Sequence, residues 1–195
     1  MVETRPRYFY LLILLALCSL TARAQDQQKP FVGVQRMDTH FQVSASITMP
    51  VTPCDAYRLL TDYASLPYYI PGILEIQTER ISNSTIKVRQ VGEVEVLFFH
   101  IKMMSLLEME EIPDQRIVFK QIEGDLESYS GEWNLQDTPE GTKLDYNASL
   151  VFKHFMPFFL AKTVLEKEVG KRFEAIYKEA LSRNSKSFLG CGARQ

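Results

Sequence analysis

The chain has 195 residues, 46% of them hydrophobic and 24% charged, with a formal net charge of −2. That length and apolar content supply one globular domain with its own core. The 22 lysines and arginines form no run and no single face, so the chain lacks the electrostatic footprint of a nucleic-acid binder.

Residues 1–24 read as a secretory signal peptide. Arg5 and Arg7 precede an apolar stretch over residues 8–20, too short to span a bilayer, which takes about 20 residues. Ala22-Arg23-Ala24 fits a small-x-small cleavage site, and an uncleaved anchor is the alternative. Leu17 before Cys18 argues against lipid attachment. Cleavage leaves 171 residues starting at Gln25, and the loss of Glu3, Arg5, Arg7 and Arg23 moves the net charge from −2 to −4. The protein is therefore expected in the periplasm or secreted. Residues 25–37 read as a flexible leader, 38–185 as the folded domain and 186–195 as a tail.

Phe41, Val43, Ala45, Ile47 and Met49 alternate with polar residues, the period of a half-buried strand. Pro50 ends it. Pro53 opens a short helix carrying Ala56, Leu59 and Leu60, and a second short helix or turn follows within residues 63–69. From Gly72 onward the pattern is antiparallel strand: residues 73–81, 85–91, a long region at 94–109 that reads as one bulged strand, then 116–123, 126–135 and 144–154. Pro113-Asp114 and Pro139-Glu140-Gly141 mark turns. Finally, Leu160, Val164, Leu165, Val169, Phe173, Ile176, Ala180 and Leu181 fall in steps of three and four. That spacing predicts one amphipathic helix of roughly seven turns, opened by Pro157 and stopped at Asn184. Glu168 with Arg172, and Glu174 with Lys178, are spaced for ion pairs on it. The sum is an α+β fold with one long helix laid on a one-sided antiparallel sheet.

The local residues add a family resemblance. Leu60-Thr61-Asp62-Tyr63, Leu66-Pro67 and Ile70-Pro71-Gly72 come first, followed by Arg89-Gln90-Val91-Gly92. Gly124-Asp125 then leads to Tyr129-Ser130-Gly131-Glu132-Trp133-Asn134-Leu135, and Gly141-Thr142-Lys143-Leu144-Asp145-Tyr146 closes the series. In this order, over about residues 41–183, the chain resembles the SRPBCC superfamily with its START-like helix-grip fold. Its nearest branch is that of the polyketide cyclases/dehydrases and coenzyme Q-binding proteins. The resemblance implies a curved seven-stranded sheet gripping the last helix, two short helices after the first strand, and an elongated apolar cavity. The superfamily shares a pocket rather than a reaction, so it hands over no catalytic residues.

His40, His100 and His154 lack metal-ligand spacing, and neither a nucleophile elbow nor a phosphate loop is present, so no catalytic, metal or cofactor residue is assigned. Asp125 and Glu127 read as turn acids. Tyr129 and Trp133 share a strand face across Gly131, and Tyr146 follows on the next strand. They read equally as core and as a cavity wall, because in a helix-grip fold these are one face. Met103, Phe119, Val169, Gly170 and Phe173 complete the cavity candidates, Gly170 as a point of close approach. The connector His154-Phe155-Met156-Pro157-Phe158-Phe159-Leu160 is more apolar than a loop requires. With Tyr68 and Tyr69 placed at the same end of the cavity, Phe155, Phe158 and Phe159 would form a mouth touching a membrane or lipidic donor. Cys54 and Cys191 remain after cleavage. The helix-grip arrangement implies that they can meet in a disulfide, and two free thiols remain the alternative. The function expected is that of an exported, non-enzymatic and monomeric carrier of a lipid, quinone or isoprenoid-like compound. The alternative is a cyclase or dehydratase using the same cavity.

Overall fold

The described residues of the computed structural model are 28–185 and 191. Strand alternation sets up the sheet. In β2 (His40–Met49) every second side chain from Phe41 to Met49 is buried, and those between are half-exposed. Thr52 then caps α1 (Pro53–Thr61): its hydroxyl accepts from the Asp55 N–H at 3.2 Å, and Pro53 occupies the first turn, where no N–H is needed. α2 (Leu66–Tyr69) is a single turn. Six strands follow: β3 (Ile73–Arg80), β4 (Thr85–Val96), β5 (Phe99–Ile112), β6 (Arg116–Gly124), β7 (Leu126–Thr138) and β8 (Gly141–Phe152). The chain ends in α3 (Phe158–Ser185).

The sheet has eight strands rather than the expected seven. The extra one is β1 (Phe31–Met37), which falls where a flexible leader was expected. It pairs with β2 from Phe31 opposite Ser46 to Met37 opposite His40, around a turn with Asp38 at φ 50°. Val34 is buried and Val32 packs against the core, so two apolar positions among polar neighbours suffice for an edge strand. The order is β1-β2-β8-β7-β6-β5-β4-β3, antiparallel throughout. The long region at 94–109 is not one bulged strand: β4 turns into β5 through Leu97 and Phe98, and Val96 pairs with Phe99.

α3 touches β1 and β2 near one edge and also β4 near the other, so the sheet curls around it. At 1.5 Å per residue its 28 residues run about 42 Å. Pro157 precedes the helix, its carbonyl accepting from the N–H groups of Leu160 and Ala161. The helix passes Asn184 without a left-handed stop. Nor does Glu168 pair with Arg172: its carboxylate takes Lys171 at 3.1 Å. Cys54, in the first turn of α1, is disulfide-bonded to Cys191, tying that residue to the short helix. The signal segment lies outside the described residues, as does the tail apart from Cys191. No helix among the described residues is long and apolar enough to cross a membrane.

Candidate functional site

β6, β7 and β8 present aromatic side chains to the concave side of the sheet. Gly131 makes their packing possible. It lies opposite Phe119, and a Cβ there would fall 2.7 Å from Phe119 Cζ and against the Asn147 carbonyl oxygen. Without that Cβ, the Phe119 ring lies beside Tyr129, with centroids 4.8 Å apart, and 6.1 Å from Tyr146. Trp133 sits 4.5 Å from Tyr146 and stacks at 5.5 Å on Phe173 of α3. Hydroxyls of Tyr129 and Tyr146 share a hydrogen bond of 2.8 Å. Burial pushes both phenols up in pKa, while the nearby Arg172 charge pulls each back in part. These phenols are thus neutral hydrogen-bonding groups at physiological pH.

Beside this cluster lies a cavity of about 100 Å³ between sheet and helices. Its floor is apolar: Val88, Leu107, Met109, Ile117 and Phe119. Leu60, Leu66, Ile70 and Ile73 close it from the α1–α2 side, and Ile176 and Arg172 from α3. Tyr129 and Trp133 reach it, and so do Tyr63 and Gln90. Both of the last two are engaged elsewhere. Gln90 donates to Ser105 Oγ at 3.3 Å, and the Tyr63 hydroxyl donates to Glu111 at 2.7 Å. Glu111 is only 5% exposed, and its other oxygen accepts from Arg80 at 2.6 Å. Burial first, and then this carboxylate, raise the Tyr63 phenol far above its ordinary range. The inward parity of Leu107, Met109 and Glu111 was the sequence signal for that buried acid.

Of the sequence candidates, Phe119, Tyr129 and Trp133 line the cavity, and Tyr146 and Phe173 pack directly behind them. Met103 does not reach it; Met109, further along β5, does. Val169 packs against the core instead. Gly170 faces β1, where an added Cβ would meet only Val32, 4.0 Å away. It does not line the cavity.

The expected mouth is not one structure. Tyr69 donates its hydroxyl to the Leu59 carbonyl at 2.9 Å and lies under Arg183, 5.6 Å from its ring centroid. Arg183 and Phe158 are 25 positions apart on α3, about 37 Å along its axis. The Tyr68-Tyr69 and Phe155–Phe159 segments are thus at opposite ends of the helix. Phe158 stacks on Phe41 at 6.2 Å, whereas Phe155 and Phe159 are exposed. Tyr68, 89% exposed, flanks the cavity side formed by Leu66 and Ile70. A second apolar tip went unread in the sequence: Leu97, Phe98 and Phe99 are all exposed at the β4–β5 turn, and Leu97 holds φ 58°. A bulky left-handed residue is costly where Asn or Gly would be the ordinary choice.

Comparison with solved structures returns the same architecture. The chain is similar to a protein from Thermus thermophilus (23% identity, TM-score 0.61, 72% of this chain and 97% of that one). It is also similar to the Zhui aromatase/cyclase from Streptomyces sp. R1128 (15% identity, TM-score 0.65, 77% and 99%). A STAR-related lipid transfer protein from Xanthomonas axonopodis aligns at 13% identity, with TM-score 0.59 over 78% of this chain and 94% of that one. At such identities these likenesses speak for the fold alone. No curated protein sequence matches the chain. The family model described as polyketide cyclase / dehydrase and lipid transport matches residues 49–176, from the end of β2 well into α3. The chain therefore belongs to the polyketide cyclase/dehydrase and lipid transport family, and its fold is the START-like helix-grip.

Proposed function

We propose that the protein is an exported, non-enzymatic carrier of a hydrophobic small molecule of the lipid, quinone or isoprenoid-like class. The observation that carries this reading is the apolar cavity between the sheet and α3. At about 100 Å³ it is below the roughly 300–1,000 Å³ of pockets that enclose a whole ligand, so binding entails widening it. β3 is an edge strand whose only ladder partner is β4, and the α2 that packs on it is a single turn, so the α2–β3 side is the one that gives most readily. Export is supported by the N-terminal pattern and by the disulfide, a bond at home in oxidising compartments. N-terminal sequencing of the exported form should begin at Gln25; recovery from the cytosol beginning at Met1 would refute it.

The apolar tips support contact with a bilayer. Gly92 lies against Gly72, Gly72 is beside Glu168 and Arg172, and Glu95 pairs with Lys167 at 2.7 Å. β4 therefore runs toward the N-terminal end of α3, bringing the Leu97–Phe99 tip to the side of Phe159. A cyclase or dehydratase would need a general base facing its substrate. The described cavity lining offers phenols, an amide and a guanidinium, with no carboxylate or imidazole.

Trp133, the sole tryptophan, reports on the cavity directly. Decylubiquinone supplied in liposomes should quench it, and Phe98→Ser with Phe159→Ser should slow the transfer without lowering the melting temperature. Unchanged Trp133 emission with free and liposomal quinone and with fatty-acyl probes would refute the carrier reading.

A further inference from the structure

We propose that the cavity takes amphiphiles with an anionic head, and that Arg172 is the group that receives the carboxylate. This rests on the carrier reading and names the chemistry of its ligand. Arg172 is the only charged side chain among the described residues that line the cavity. Its Nε is buried and without a hydrogen-bond partner. A guanidinium does not deprotonate in a protein, so it cannot escape the cost of burial by becoming neutral. The nearest intrahelical acid, Glu168, gives Oε1 to Lys171 at 3.1 Å and makes no ion pair with Arg172. Arg172 thus reaches the cavity with its Nε unpartnered and with no acid among the described residues hydrogen-bonded to its guanidinium, although Glu168 lies nearby.

The surroundings fit a carboxylate on an apolar body. A Cβ at Gly72 would be 3.9 Å from Arg172 Nη2 and 3.7 Å from Glu168 Oε2. Gly72 holds φ +80°, and its carbonyl accepts from the Glu93 N–H at 2.8 Å. The guanidinium tip therefore sits at the α2–β3 rim, while its Nε faces inward. An acid entering by that rim meets the fork head-on and slides its chain toward Ile73, Leu107 and Phe119. Such a carboxylate exchanges water for a two-toothed, charge-assisted contact and gives Nε the partner it lacks. An ester or alcohol of equal length offers one weak acceptor and no charge.

Decanoate and methyl decanoate, each below the concentration at which it aggregates, separate the possibilities. Trp133 emission and titration calorimetry at pH 7 give the affinities. The parent should bind the acid about tenfold or more tightly than the ester. Arg172→Met, which keeps most of the stem, should erase that preference while holding ester affinity within about twofold. Arg172→Lys should retain part of it, which keeps the test open if the Met variant fails to fold. Equal binding of acid and ester by the parent overturns the head-group assignment and leaves the carrier reading standing. Persistence of the preference in Arg172→Met also overturns it, by placing the head elsewhere. Binding of neither probe overturns both.

Discussion

The disulfide offers the largest perturbation available outside the cavity. Cys54 and Cys191 are 137 positions apart, so the bridge closes a loop over most of the domain. In the chain-entropy model, a loop of that length removes roughly 5 kcal/mol of freedom from the unfolded state, taken as an upper value. Unfolding about 160 ordered residues carries an entropy of about 0.33 kcal/mol/K, which converts 5 kcal/mol to roughly 15 °C in melting temperature. The bridge also pins the first turn of α1 to Cys191, at the end of the molecule where Arg183 pairs with Asp62 and Glu179. Differential scanning calorimetry of oxidised protein with and without reductant is the assay, with Cys54→Ser/Cys191→Ser as a variant indifferent to reductant. The oxidised protein should melt about 10–15 °C above both reduced protein and variant. A melting temperature unmoved by reductant, or two thiols titrating in unfolded, non-reduced mature protein, would refute the reasoning.

Three further outcomes follow from the packing. Gly131→Ala must push Phe119 and the β8 backbone aside, costing about 1–3 kcal/mol; a melting temperature equal to the parent's would show that the strand yields freely. Gly170→Ala meets open space beside Val32, so it should raise stability by up to about 1 kcal/mol and leave Trp133 quenching by decylubiquinone unchanged; lost quenching would restore a cavity role for this position. Tyr63, Tyr69, Tyr129 and Tyr146 all have phenols raised above the ordinary 10.0, chiefly by burial. Above pH 10 the unfolded chain loses these protons while the folded chain keeps them, so stability, complete below pH 10, falls as pH rises, by about 1.4 kcal/mol per unit for each phenol. A urea midpoint that stays level from pH 9 to 11 would contradict that.

Most of the sheet was legible because burial on one side imposes a period of two, and β2 and β8 obey it along almost their whole length. β1 escaped because only Val32 and Val34 of its seven residues turn inward, too few to stand out from a polar leader. The β4–β5 turn escaped for the opposite reason. Its apolar residues continue through the reversal, and Leu97 occupies a left-handed position that sequence habit reserves for Asn or Gly. The aromatic cluster was found because Tyr129 and Trp133 share one face of β7 and Trp133 lies directly opposite Tyr146.

What periodicity could not supply was distance along the helix, or the fate of a charge. The two aromatic segments looked like one mouth until the rise of α3 separated them. Arg172 looked like a solvent-facing partner of Glu168, since four-residue spacing is the usual mark of a surface ion pair. Yet Arg172 lies one position before Phe173 and four before Ile176, on the border of the buried stripe. A cation there either snorkels to water or reaches the cavity, and Arg172 does the latter. Core and cavity share the concave face of this fold, so apolar residues alone do not tell them apart. Arg172 does, as the one charged side chain among the described residues that line the cavity.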